Sequence, residues 1–170
     1  MINKIAPSVA DAIGTVADGS TVLIGGFGTA GIPSELIEGL IAQGARGLTI
    51  VNNNAGNGDA GLARLLKAGC VEKIICSFPR QSDSWVFDDL YRRKQIALEL
   101  VPQGNLAERI RAAGAGIGGF FTPTGYGTAL AKLPSGDYLV TATYGGTSVI
   151  RKVAVVADRL RTEHFRWAAN

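Results

Sequence analysis

Apolar residues along the first 120 positions fall into short blocks separated by glycine-rich or polar breaks. Blocks at residues 21–25, 48–52, 71–76 and 96–101 are rich in Val, Ile and Leu and too short for helices, so they predict β-strands. Helical spacing fills the intervals. Residues 33–43 place Leu36, Ile37, Leu40 and Ile41 on one face. Residues 59–68 read as a helix with Asp59 as N-cap, residues 82–93 as one entered through Pro79 and Ser82, and residues 106–113 as one turning Leu106 and Ile110 inward. Residues 10–16 read as an opening helix. Gly44, Gly69 and Gly114 stand where helices end. Strands separated by single helices imply parallel neighbours joined by right-handed crossovers. The expected class is therefore α/β, an open, mostly parallel sheet flanked by helices. Residues 114–128 are glycine-rich and aromatic (Phe120, Phe121, Tyr126) and read as a loop or a short strand with turns, either structural or facing a substrate.

In parallel sheets ligands sit beyond the carboxyl ends of the strands. The unusual segments of this chain follow strands: residues 25–31, 52–58, 77–84 and 102–105. The first holds Gly25, Gly26, Gly28 and Gly31 and leads to Pro33, which suits the start of a helix. Glycines between a strand and a helix let bare backbone approach a ligand, and the helix start offers free N–H groups. Gly26-x-Gly28-x-x-Gly31 matches the dinucleotide fingerprint, but that site also wants a carboxylate at the end of the next strand. Asn52, Asn53 and Asn54 stand there instead, which argues against a nicotinamide site. A packing loop with no ligand is the plain alternative.

Composition narrows the classes further. The chain has 170 residues, enough for one domain with a real core, and 46% hydrophobic against 18% charged residues suits an α/β domain with buried strands better than a coiled coil or a disordered chain. No apolar run reaches the roughly 18–20 residues of a membrane span, and the first residues lack a secretion pattern, so a cytoplasmic protein is expected. Cys70 and Cys76 read as buried reduced thiols, and no spacing suits a metal; the only histidine is His164. Net charge is +3, and the excess lies in residues 151–170, with five basic and two acidic side chains. Without interleaved aromatics this reads as a solvated tail rather than a nucleic-acid surface.

A longer string then speaks to function. Asp18-Gly19, Val22-Leu23-Ile24, Gly25-Gly26-Phe27, Gly31 and Pro33 together resemble the N-terminal signature of family I CoA-transferases. The likeness continues through Asn52-Asn53-Asn54-Ala55-Gly56, residues 77–84, residues 101–110 and residues 122–128. Within the family it is nearest to A (alpha) subunits serving 3-oxoadipate. It implies a CoA-transferase alpha-subunit fold for residues 1–130 and, for a two-chain enzyme, transfer of CoA from succinyl-CoA to 3-oxoadipate in aromatic-compound breakdown. Family chemistry is covalent: a glutamate attacks the thioester, and a glutamyl-CoA thioester follows. In two-chain members that glutamate lies on the B (beta) subunit in a Ser-Glu-Asn-Gly-like motif, which does not occur here. Glu35, Glu38 and Glu108 fall in predicted helices and Glu99 in a predicted strand, so the nucleophile is expected from the partner.

The same resemblance assigns site residues. Gln103, at a turn after the fourth strand, is the expected oxyanion donor. Ile24, Gly25, Gly26, Phe27, Gly28, Thr29 and Ala30 are expected to contact CoA or its acyl group through backbone amides. Asn52, Asn53 and Asn54 either hydrogen-bond substrate or satisfy turn backbone. Arg80 either anchors the distal carboxylate of a dicarboxylic acyl group or pairs with Asp83 or Asp88. No permanently bound cofactor or metal is expected; the CoA thioester is a substrate. Partners are the B (beta) subunit, an acyl-CoA and a 3-oxo acid, with neither nucleic acid nor membrane. An acetoacetate or acetate transferase of the same kind, and a non-catalytic CoA-binding pseudo-subunit, remain alternatives. Residues 131–170 depart from the family pattern, as a frameshift or a truncated paralogue would, and impaired folding and B-subunit docking are expected of such a tail.

Overall fold

The computed structural model describes residues 5–125, 136–144 and 147–155. Its elements run α1 (Val9–Ile13), β1 (Thr21–Leu23), α2 (Ser34–Gln43), β2 (Leu48–Val51), α3 (Leu62–Lys67), β3 (Val71–Cys76), α4 (Trp85–Arg92), β4 (Ala97–Leu100), α5 (Gln103–Gly114), β5 (Gly136–Tyr144) and β6 (Thr147–Val155). Contacts divide the chain into two units, residues 1–103 and 104–170. The domain boundary expected at 130/131 lies outside the described residues.

In the first unit the four strands are all parallel, in the order β1-β2-β3-β4. Each crossover therefore advances the sheet in the same direction, and right-handed crossovers put α2, α3 and α4 on one face. The packing agrees: α2 contacts α3, and α3 contacts α4. Register aligns Val22, Ile50, Ile74 and Leu98 in one row across the sheet. Ile50 and Ile74 are fully buried, sharing a core with Ile37 and Leu40 of α2, Leu62, Leu65 and Leu66 of α3, and Val86 and Phe87 of α4. Alternation sends the neighbouring row, Thr21, Thr49, Lys73 and Ala97, to the opposite face. That face is only partly buried, and Lys73 Nζ donates to Glu99 Oε2 at 2.6 Å across it.

Several expected boundaries shift, each for a local reason. The helix expected at 59–68 begins only at Leu62, with Gly61 at its N-cap, and Asp59 lies in the preceding turn. The helix expected at 82–93 begins at Trp85, because Ser84 ties the turn before it. Leu36 is exposed, and the buried face of α2 is Ile37 and Leu40. In α5, Leu106 is buried as expected, but Ile110 is exposed and Ala112 takes the second inner position. The helix also starts earlier than expected, so Gln103 is its first residue rather than a turn residue.

In the second unit β5 and β6 form an antiparallel pair, with Tyr138 opposite Val153. Residues 138–143 and 153–155 thus belong to one antiparallel pair of strands. Among the described residues no helix is long and apolar enough to cross a membrane.

Candidate functional site

Three loops leave the carboxyl ends of β1, β2 and β3, and hydrogen bonds join them into one surface. The first turns back on itself: Phe27 N–H donates to Ala30 O at 2.9 Å, and Ala30 N–H to Phe27 O at 3.0 Å. Gly28 sits in this turn with φ +62°, a conformation that a side chain would strain. Among the described residues, no acceptor in the chain takes the N–H of Gly28 or Thr29. The loop therefore leaves two backbone donors without a partner in the chain, at residues that border a void.

Asn52 and Asn54 hold that loop from beneath. Asn52 is buried; its Nδ2 donates to Ile24 O at 2.7 Å, and its Oδ1 accepts from Asn54 N–H at 2.9 Å. Asn54, only 1% exposed, donates from Nδ2 to Gly28 O at 3.3 Å and accepts the Gly56 N–H at 2.8 Å. Of the two roles open to these asparagines, the geometry displays the backbone one. Asn53 is half-buried and accepts from Ser77 Oγ at 2.7 Å, linking the second and third loops. The polar run after β2 is thus a staple, and a buried carboxamide suits it because one group both donates and accepts.

Ser84, Asn57 and Gln81 complete the join, and sequence reasoning gave none of the three a role. Ser84 is buried; its Oγ accepts the Gln81 N–H at 2.8 Å and donates to Gly56 O at 3.0 Å. Asn57 Nδ2 donates to Gln81 Oε1 in a short hydrogen bond. The Gly56-Asn57-Gly58 triplet is the signal that could have drawn attention, since asparagine between glycines marks a turn. Gly56 has φ +91°, and a Cβ there would lie 2.4 Å from Ala63 N. Only glycine lets the second loop lie this close to the start of α3.

Between the first two loops lies a cleft of about 70 Å³, lined by Gly28, Thr29, Ile32, Ser34, Gly56, Asn57, Ala60, Gly61 and Leu62. That is several times the ~10–15 Å³ one water requires, and far below the ~300–1,000 Å³ of a pocket that encloses a whole cofactor. It takes a small polar head and leaves any larger body outside. No carboxylate lines it. Glu38 instead meets Arg64, Glu99 meets Lys73, and Glu108 meets Arg111. The Arg111 guanidinium holds the Glu108 carboxyl below its usual range. Cys76, at the end of β3, is fully buried, and that burial pushes its thiol up to about 11, so it is protonated at neutral pH.

The other expected residues sit apart from this cleft. Phe27 is exposed at the loop tip. Arg80 donates from Nε to Asp88 Oδ1 at 2.6 Å and borders a broader hollow of about 640 Å³ beside Tyr91 and Ile96, which shares no lining residue with the cleft. Gln103 is exposed at the start of α5, directly after β4 and Pro102.

Residues 6–158 match the family model for coenzyme A transferase. The chain belongs to the coenzyme A transferase family. It is 70% identical over 132 residues to the A (alpha) chain of 3-oxoadipate CoA-transferase from Pseudomonas putida, covering 78% of this chain and 57% of that protein. It is 65% identical over 132 residues to the protein of the same name from Acinetobacter baylyi, covering 78% and 58%. The chain thus spans somewhat over half the length of these curated relatives. Among solved structures it is similar to a point variant of the decarboxylase AibA/AibB, with a TM-score of 0.59, 21% identity, and coverage of 88% of this chain and 57% of that one. A decarboxylase with the same architecture illustrates that this family fold does not by itself fix the reaction.

Proposed function

We propose that this chain is the A (alpha) component of a two-chain CoA-transferase that moves CoA from succinyl-CoA to 3-oxoadipate, yielding 3-oxoadipyl-CoA and succinate, in the cytoplasm. The observation that carries the reading is the cleft itself: Gly28 and Thr29, whose N–H groups have no acceptor among the described residues, border a small void that no carboxylate lines. It is one wall of a site, suited to an acyl head and lacking an attacking group. The 70% and 65% identity to relatives named for 3-oxoadipate supports the choice of acid over acetoacetate or acetate.

In this reading a B-subunit glutamate attacks the thioester carbonyl of succinyl-CoA, and CoA thiolate leaves. The thiolate then attacks the glutamyl carbonyl of the resulting anhydride, releasing succinate and forming the glutamyl-CoA thioester. The acceptor acid runs the steps in reverse. Each attack develops an oxyanion, and aimed N–H donors in a water-poor site stabilise it. Gln103, a neutral carboxamide on the first turn of α5, is the proposed donor; residues 24–30 meet CoA or its acyl group through backbone. Asn52 and Asn54 act by holding that backbone in place.

The test is reconstitution. The chain mixed with a B subunit should exchange CoA between succinyl-CoA and 3-oxoadipate, slowed by the divergent residues 131–170 but still faster than with acetoacetate, and neither chain should do so alone. CoA binding without exchange would favour the pseudo-subunit; exchange by this chain alone would overturn the division of labour.

A further inference from the structure

The carboxamide of Gln81 is held in one orientation with its amino group left over. Its backbone N–H donates to Ser84 Oγ at 2.8 Å, which fixes the base of the residue. Its Oε1 accepts from Asn57 Nδ2, which fixes the tip. Asn57 Oδ1 lies 3.5 Å from Ser84 Oγ. Among the described residues none accepts from Gln81 Nε2. The carboxamide stands beside the glycine loop: a Cβ built on Gly28 would lie 3.8 Å from Gln81 Nε2, 3.8 Å from its Oε1 and 3.9 Å from Asn57 Nδ2. Asn57 lines the cleft. Gln81 thus stands beside Gly28 at the edge of the cleft, on a loop cross-tied to the one that carries Asn57.

We infer that Gln81 is a specificity-determining residue that binds the distal carboxylate of a dicarboxylic acid, with Asn57 as its positioning residue. The inference rests on the transferase reading and names the end of the substrate that this wall recognises. The cleft admits a carboxylate-sized head and holds no acid to repel one. The reacting carbonyl has to remain where another chain's glutamate can reach it, so the group entering this closed wall is the far end. Neutral amide donors suit a carboxylate that arrives and leaves in each turnover, because they bind it without a buried counter-charge. Arg80, the more obvious partner for a carboxylate, is engaged by Asp88 at the other hollow.

Two measurements test this. The first uses the full chain alone: the side-chain NH₂ signals of Gln81, assigned by their loss in Gln81→Leu, are followed while 3-oxoadipate or acetoacetate is added. A saturable shift with the dicarboxylate and little with the monocarboxylate is expected; no shift, or equal shifts, overturns the proposal. The second uses the chain with its B subunit. Gln81→Glu places a carboxylate where the amino group stood, and KM for 3-oxoadipate should rise tenfold or more while KM for acetoacetate changes less than threefold. Asn57→Ala should raise KM for 3-oxoadipate in the same direction, less steeply, with kcat little changed. An equal rise for both acids, or a loss of kcat alone, overturns it. Lack of CoA exchange by the wild-type pair would instead refute the transferase reading, which the binding measurement does not depend on.

Discussion

Replacing Asn52 with leucine separates a staple from a substrate ligand. In the structure Asn52 Nδ2 satisfies Ile24 O at 2.7 Å, and its Oδ1 satisfies Asn54 N–H at 2.9 Å, both out of contact with water. Asn52→Leu keeps approximate shape and orphans both backbone groups. Each buried unsatisfied group costs about 1–3 kcal/mol, so the expected loss is about 2–6 kcal/mol. With a urea dependence of about 2 kcal/mol per molar, the middle of the usual range, the unfolding midpoint should fall by on the order of 1–3 M. The Asn54 amide should also lose protection from hydrogen exchange, since its acceptor is gone. The assay is urea unfolding followed by far-UV circular dichroism, with amide exchange read in native buffer. An unchanged midpoint with Asn54 still protected would refute the staple and return Asn52 to the role of a substrate contact.

Other consequences follow from the same geometry. Gly56→Ala should cost more than about 3 kcal/mol or prevent soluble folding, because the new Cβ meets backbone at Ala63. Gly104→Ala in α5, with open space around it, should be neutral or raise stability by about 0.5–1 kcal/mol; thermal unfolding of the two variants side by side checks both. Neither Cys70 nor Cys76, both buried and free, should react with a thiol reagent in the native state at pH 8, while both should in denaturant. The thiol of Cys76 moves from 9.0 to about 11 on folding, so above pH 9 the unfolded chain releases a proton that the folded one keeps. Stability therefore falls as pH rises from 9 to 11, and a Cys76→Ser comparison over that range should show the difference. Arg80→Ala removes an exposed ion pair worth no more than about 1 kcal/mol, and should leave KM for dicarboxylates within twofold; a tenfold rise would make Arg80 the anchor after all.

Much of the fold was legible because the crossover pattern repeats. Short Val/Ile/Leu blocks separated by single helical intervals can form little other than a parallel sheet, and β3 fell where its apolar block predicted. Helix starts were harder. Asp59 looked like an N-cap, but the close approach of Gly56 to Ala63 delays α3 by a turn, a tertiary constraint that local capping rules do not see. The glycine loop was readable from its composition, and the asparagine run was recognisable as polar residues at a strand end. Its role as a buried staple was not, because burial depends on how three loops stack. Gln81 and Asn57 are 24 positions apart, and only the fold makes them a pair. Arg80 drew attention by its charge; in space, Asp88 holds it elsewhere.

The central claim is that this wall binds an activated acyl group while another chain supplies the attacking carboxylate. Intact-mass analysis of the chain with its B subunit, quenched during turnover of succinyl-CoA, tests it most directly. The expected result is a CoA adduct on the B subunit, with none on this chain. A CoA or acyl adduct on one of this chain's own carboxylates would contradict it.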